Sequence, residues 1–147
     1  MQVQYRFSDS EISKLLKENF MVLYDIREQK NQHILDFLDK KKIQYKKKKI
    51  NEGDYTAIIT AREDMGISRD LYFNIAVERK NSVDELASNL GEKREDYRDD
   101  IRLERELKRA RQKGIMIYLV VEDKNGMENI EKGNYRSRYS SKALTTR

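Results

Sequence analysis

Short apolar runs alternate along this chain with segments whose apolar residues recur every three or four positions, the pattern of strands interleaved with amphipathic helices. Ser8-Asp9-Ser10-Glu11 has capping-box spacing and predicts a short helix with Ile12, Leu15 and Leu16 facing inward. A strand is predicted over 20–26. A helix over 29–41 follows, with Ile34, Leu35 and Leu38 on one face and Phe37 beside it. Residues 43–50 predict a second strand whose polarity suits a sheet edge. Asn51-Glu52-Gly53-Asp54 has turn chemistry and leads into a strand over 55–60. A polar loop over 62–70, containing Gly66, precedes a strand over 71–78. Ser82-Val83-Asp84-Glu85 repeats the capping pattern, with Val83, Leu86, Ala87 and Leu90 on one helical face. A charged helix over 93–113, ended by Gly114, has a narrow apolar face (Tyr97, Ile101, Leu107, Ala110) and is expected to lie on the surface of the sheet. Residues 115–121 predict a further core strand, followed by a polar loop and a short helix near Ser140. No repeat, linker or break in composition divides the chain, so a single α/β domain over 1–147 is expected.

Composition narrows the classes. A chain of 147 residues can bury a core of its own. Charged residues make up 39% of it and the net charge is +5, which favours a polyanionic partner. Cysteine is absent, which excludes disulfides, thiolate metal sites and thiol nucleophiles. The N-terminus has no signal-peptide core and no apolar segment approaches membrane-spanning length, so a soluble intracellular protein is expected.

The chemistry sits where apolar runs end in charge. Tyr72-Phe73-Asn74-Ile75-Ala76-Val77 is followed at once by Glu78-Arg79-Lys80. On a strand, residues i and i+2 share a face, so Glu78 and Lys80 project side by side. A metal-binding carboxylate beside a lysine suits phosphodiester hydrolysis. Asp25-Ile26-Arg27-Glu28 closes the run Phe20-Met21-Val22-Leu23, and Gly53-Asp54 opens the run at Tyr55. Acidic strand ends gather readily into one crevice when the strands share a sheet.

Asp25-x-Arg27-Glu28, then Gly53-Asp54-Tyr55, then Glu78-Arg79-Lys80-x-x-x-Asp84, in that order, resembles the nuclease domain of the XPF-type structure-specific endonucleases, with a motif core over about 20–122. The resemblance implies a restriction-endonuclease-like α/β fold, a central mixed β-sheet flanked by helices. It implies Asp25, Asp54, Glu78 and Lys80 as catalytic residues, with Asp54 and Glu78 the first metal ligands and Asp25 the third. Lys80 would position the attacking water, and cleavage would leave a 5′-phosphate and a 3′-hydroxyl. Mg²⁺ is the implied cofactor, with Mn²⁺ able to substitute. Arg27, Glu28, Arg79 and Asp84 are supporting residues: Arg27 and Arg79 as phosphate contacts, Glu28 and Asp84 as partners that hold Arg79 or Lys80. Arg102 resembles a DNA-contacting helical arginine of the family, although a solvated helix with i,i+4 pairs explains it equally.

The implied activity is metal-dependent endonucleolytic cleavage of branched or flapped DNA in recombination, repair or replication. The alternative is a non-catalytic DNA-binding scaffold subunit, and a small basic RNA-binding protein is a third reading. Dimerisation with itself or a related subunit is implied, as is a bacterial cytoplasm for a phage- or mobile-element-encoded protein. Nothing after Glu122 has the paired Gly-rich hairpins of the helix-hairpin-helix module many members carry. A minimal stand-alone version, truncated or shortened at Arg147, is therefore expected. The lysines at 40–42 and 46–49 suit either a DNA backbone or the protection of a sheet edge. Tyr24, Tyr55 and Tyr135-Arg136-Ser137-Arg138-Tyr139 could meet nucleic acid, though packing is the default for the first two. His33, the only histidine, is expected to be a surface residue.

Overall fold

The computed structural model describes residues 4–82, 84–85 and 97–132, the backbone alone over 97–103. Its strands are β1 (Phe20–Tyr24), β2 (Gln44–Lys47), β3 (Tyr55–Ile59), β4 (Leu71–Lys80) and β5 (Met116–Val121), in the sheet order β2-β1-β3-β4-β5. β1 pairs parallel with β2 and antiparallel with β3, and β4 pairs parallel with β5. The helices are α1 (Asp9–Glu18), α2 (Gln32–Lys40), α3 (Tyr97–Gln112) and α4 (Gly126–Glu131). This is the mixed α/β sheet flanked by helices that the sequence implied. The chain divides into two compact units, Met1–Asn74 and Ile75–Arg147.

In the first unit α1 begins as expected. The Ser8 hydroxyl accepts the Glu11 N–H, and the Glu11 carboxylate accepts the Ser8 N–H at 2.9 Å. The expected inward face is narrower than three residues: Leu15 is buried, whereas Ile12 and Leu16 are about half exposed. A short helix touches its unit along one line of contact, and here that line is Leu15 packed with Ile59 and Ile67. Ile67 is 0% exposed, although it lies in a stretch whose composition predicted only a polar loop. That loop is tied down at its neck. Arg62 and Ile67 form an isolated bridge, and the Arg62 guanidinium donates to Glu18 at 2.6 Å and to Asp64 at 3.0 Å.

α2 starts three residues later than its periodicity suggests. The Glu28 N–H closes a turn onto the Asp25 carbonyl, and Lys30 takes a positive φ of 54°. Leu35 and Leu38 are its buried face, while Phe37 stands exposed under the Lys41 ammonium. Leu23, Ile50 and Ile58 form a second apolar cluster beneath β1 and β3. β2 is the edge strand its polarity predicted.

In the second unit, α3 ends at a left-handed Gly114 (φ 71°), and the Ile115 N–H donates back to the Ala110 carbonyl at 2.8 Å. A side chain at that φ would be strained, so glycine sets the stop. Ala110 is buried, whereas Leu107 is exposed. β5 is not the core strand expected: it lies at the end of the strand order, and Met116, Tyr118, Leu119 and Val120 are each 42% exposed or more. Apolar composition marks a strand but not how many neighbours cover it. α4 was not foreseen, and the helix expected near Ser140 lies outside the described residues, as do Val83, Leu86, Ala87 and Leu90. Among the described residues no helix is long and apolar enough to cross a membrane.

Ile67→Ala is expected to destabilise the protein by about 2–4 kcal/mol, because it leaves a cavity in a closed cluster. Ile12→Ala is expected to cost under about 1 kcal/mol. Urea midpoints of the two variants check the contrast.

Candidate active site

The antiparallel register of β1 and β3 determines which side chains meet at one end of the first unit. Tyr24 pairs with Tyr55, and the ladder runs one step further, where the Asp25 N–H donates to the Asp54 carbonyl at 2.8 Å. Asp25 and Asp54 are therefore cross-strand neighbours. Residues so placed have Cβ atoms about 4.5–5.5 Å apart, and two carboxylates in that relation repel unless other groups balance them. Gly53 takes a φ of 77°, which turns the chain into β3 and sets Asp54 at the strand's first step.

The balancing groups are found around Asp25. Its side chain is fully buried, and both of its oxygens are engaged within this unit. Oδ1 accepts the buried Ile50 N–H at 2.7 Å. Oδ2 accepts the Arg27 Nε at 2.7 Å and the Arg27 N–H at 3.1 Å. Burial alone pushes this carboxyl up, but the Ile50 and Arg27 donors outweigh it, and Asp25 lies below the usual carboxylate range. Arg27 itself is 65% exposed at its side chain, so it holds Asp25 from the solvent side. Glu28 is half-buried and its N–H belongs to the turn onto Asp25. Asp54 is half-buried, and Glu52 and Gly53 before it are buried.

The second unit carries the other cluster. β4 extends through Lys80, so Glu78 and Lys80 do share a strand face, and Lys80 Nζ lies 3.3 Å from Glu78 Oε1. Glu78 is 8% exposed and Lys80 5%. Buried charges persist only when paired, and this pair is two residues apart on a strand that fixes both backbones. Arg79 points to the other face and is also 5% exposed. It was expected to contact phosphate. Its Nη1 donates to Asn81 Oδ1 at 2.7 Å and to Glu122 Oε2 at 3.0 Å. The reason is the parallel register: Lys80 pairs with Val121, which brings Glu122 beside the end of β4. A second tie follows, from the Glu122 N–H to the Lys80 carbonyl at 2.8 Å.

Asp84 lies in the helical turn that follows Ser82. There the Ser82 hydroxyl accepts the Glu85 N–H, and the Glu85 carboxylate accepts the Asn81 N–H at 2.6 Å. The predicted cap is present, although its carboxylate reaches Asn81 rather than Ser82. Arg102 is on α3, and its side chain lies outside the described residues. Sequence reasoning missed Ile50, Asn81, Glu85 and Glu122 as parts of this machinery. The Ser82 cap spacing pointed to Glu85, but Ile50 and Glu122 acquire their partners only through register.

The donor chemistry fits a hard divalent cation: carboxylate oxygens at strand ends, with no sulfur available. Among the described residues no group of three or more His, Asp or Glu side chains is gathered to hold an ion. Magnesium keeps several waters, so two carboxylates can suffice.

A mixed sheet whose strand ends carry opposed aspartates and a Glu-x-Lys pair belongs to the restriction-endonuclease-like class. The ERCC4 domain matches residues 24–147, a span holding all three charged clusters, and the chain belongs to the ERCC4 domain family. The family includes the XPF-type nucleases, which bind DNA and generally depend on a divalent metal. No curated protein matches the chain.

Asp25→Asn is expected to cost about 2–3 kcal/mol, since the amide turns a donor toward Arg27 where an acceptor is required. A lowered folded-state pKa contributes stability above the unfolded value, about 3.9, and loses it as pH falls through the folded one. The gap between wild type and Asp25→Asn should therefore be full at neutral pH and close in acid. Urea titrations at neutral and acid pH measure it. Arg79→Ala is expected to cost about 1–3 kcal/mol by removing the buried guanidinium's hydrogen bonds to Asn81 and Glu122, read by the same titration.

Proposed function

We propose that this chain is a metal-dependent endonuclease that hydrolyses phosphodiester bonds in DNA, with branched or flapped DNA as substrate. The observation that carries the reading is the Glu78–Lys80 pair, buried and held at 3.3 Å on a strand within the ERCC4 match. A buried ion pair is a poor stabiliser compared with apolar packing. Its place at the end of the apolar run Ile75-Ala76-Val77 is accounted for by chemistry that needs both charges.

In this reading Asp54 and Glu78 are metal ligands, and Asp25 keeps Asp54 in place through the ladder step between them. When bound, a divalent metal neutralises phosphate charge and lowers the pKa of its water. Lys80, oriented by Glu78, positions the attacking water and stabilises the charge that develops on the phosphate. Arg27, exposed at the same strand end as Asp25, contacts a neighbouring phosphate. The leaving group is the 3′-oxygen, which gives a 5′-phosphate and a 3′-hydroxyl.

Labelled flap, fork, four-way junction, single-stranded and duplex DNA, incubated with Mg²⁺ or Mn²⁺ and with EDTA, test the proposal. Cleavage is expected with metal and not with EDTA. Asp54→Asn and Lys80→Ala are each expected to lower the rate by at least about 100-fold while still binding DNA. Binding without metal-dependent cleavage by the wild type would replace this reading with that of a scaffold subunit.

A further inference from the structure

We infer that the exposed lysine edge formed by β2 and the end of α2 is a second nucleic-acid contact, one that grips the phosphate backbone of a duplex arm of the substrate. This rests on the DNA-nuclease reading but on different residues. Residues 40–49 contain seven lysines and no acidic residue, while the net charge of the whole chain is +5. The rest of the protein is therefore slightly acidic, and its basic character comes from these ten positions.

All seven lysines are exposed. Two have neighbours that occupy them: Lys48 donates to the Tyr72 hydroxyl at 2.7 Å, and Lys41 lies over the Phe37 ring. The ammonium groups of Lys40, Lys42, Lys46, Lys47 and Lys49 form no ion pair among the described residues. Of the nearby carboxylates, Asp36 is turned toward Gln32 and Asp39 toward the Tyr45 hydroxyl, and Asp70, near Lys48, accepts the Ala61 N–H.

Charged side chains, lysine above all, protect a sheet edge from another strand. Five unpaired cations on one short edge repel one another, and that arrangement suits a partner that supplies matching anions. The layout suits a polymer. The seven lysines follow the chain from the end of α2 through β2, a line of charge rather than a single pocket, as a linear polyanion requires. Duplex is favoured over a single strand because it presents about one charge per 1.7 Å of axis, twice the charge density of one strand.

The test is the salt dependence of binding to a short labelled duplex, measured by fluorescence anisotropy with the full chain carrying Asp54→Asn. The edge variant combines Lys42→Asn, Lys46→Gln, Lys47→Gln and Lys49→Gln; asparagine suits the positive φ of 57° at position 42. The control variant combines Lys14→Gln, Lys17→Gln, Lys108→Gln and Lys124→Gln, an equal charge removed from exposed sites elsewhere. Each phosphate contact contributes about 0.9 to the slope of log K against log salt, so the edge variant is expected to lose roughly 2–4 units and the control less than about 1. The double variant Lys46→Gln, Lys49→Gln should lose about half as much, and it serves if the fourfold variant does not fold. In the cleavage-competent chain the edge substitutions should raise KM and leave kcat unchanged.

Equal losses in edge and control variants would reduce the effect to net charge and overturn the inference. An unchanged slope would also overturn it, as would stronger edge-dependent binding to duplex RNA or to anionic vesicles. Because the slope is measured without cleavage, an inactive wild type would sink the nuclease reading and leave this result standing by itself.

Discussion

The first unit depends on how one buried carboxylate is satisfied. β2 and β3 flank β1 on opposite sides, so the connection over 48–54 has to cross the end of β1. Such a crossing leaves backbone donors turned inward, and a buried donor without a partner is costly. Asp25 meets that need: Oδ1 accepts the Ile50 N–H, and its own N–H reaches the Asp54 carbonyl. The Lys48 N–H adds a bond to the Tyr24 carbonyl. Ile50 can then turn its side chain down onto Leu23 and Ile58. The charge survives burial because Arg27, two residues on, folds back onto Oδ2. A residue with the sequence signature of a metal ligand thus also organises the loop that presents Asp54.

The second unit meets the same difficulty with paired charges. Three consecutive charged residues, Glu78, Arg79 and Lys80, are all buried, although a strand turns them to two faces. Glu78 and Lys80 balance one another on one face, and Arg79 is balanced by Glu122 on the other. Neither arrangement is the cheapest way to stabilise a sheet, since apolar residues of similar volume would do as well or better. What the pairs provide is fixed position: a carboxylate and an ammonium held on adjacent steps of a strand, with little freedom to wander. That is the property expected of a nuclease family, and it gives the ERCC4 match a local physical counterpart.

Much of this was legible in the residues. The capping boxes at Ser8 and Ser82, the edge character of β2 and the shared face of Glu78 and Lys80 follow from local rules with periods of two to four residues. Local rules were weakest where burial is decided. They spread the core over Ile12, Leu15 and Leu16 where only Leu15 is buried, and they made β5 a core strand although its apolar residues are exposed. Ile67, the most enclosed of the described isoleucines, was hidden inside a polar stretch.

The chain by itself therefore determined element type, the order of the charged clusters and their chemistry, because propensity, capping and alternation act between neighbours in sequence. Tertiary structure alone decided partnership. Asp25 faces Asp54, and Arg79 meets Glu122, because strand registers align residues tens of positions apart. Burial then decided which charges could stay in solvent, leaving the lysines of the β2 edge there and taking Asp25 and Lys80 out of it. Register and burial are properties of the packed chain, and no window of sequence contains them.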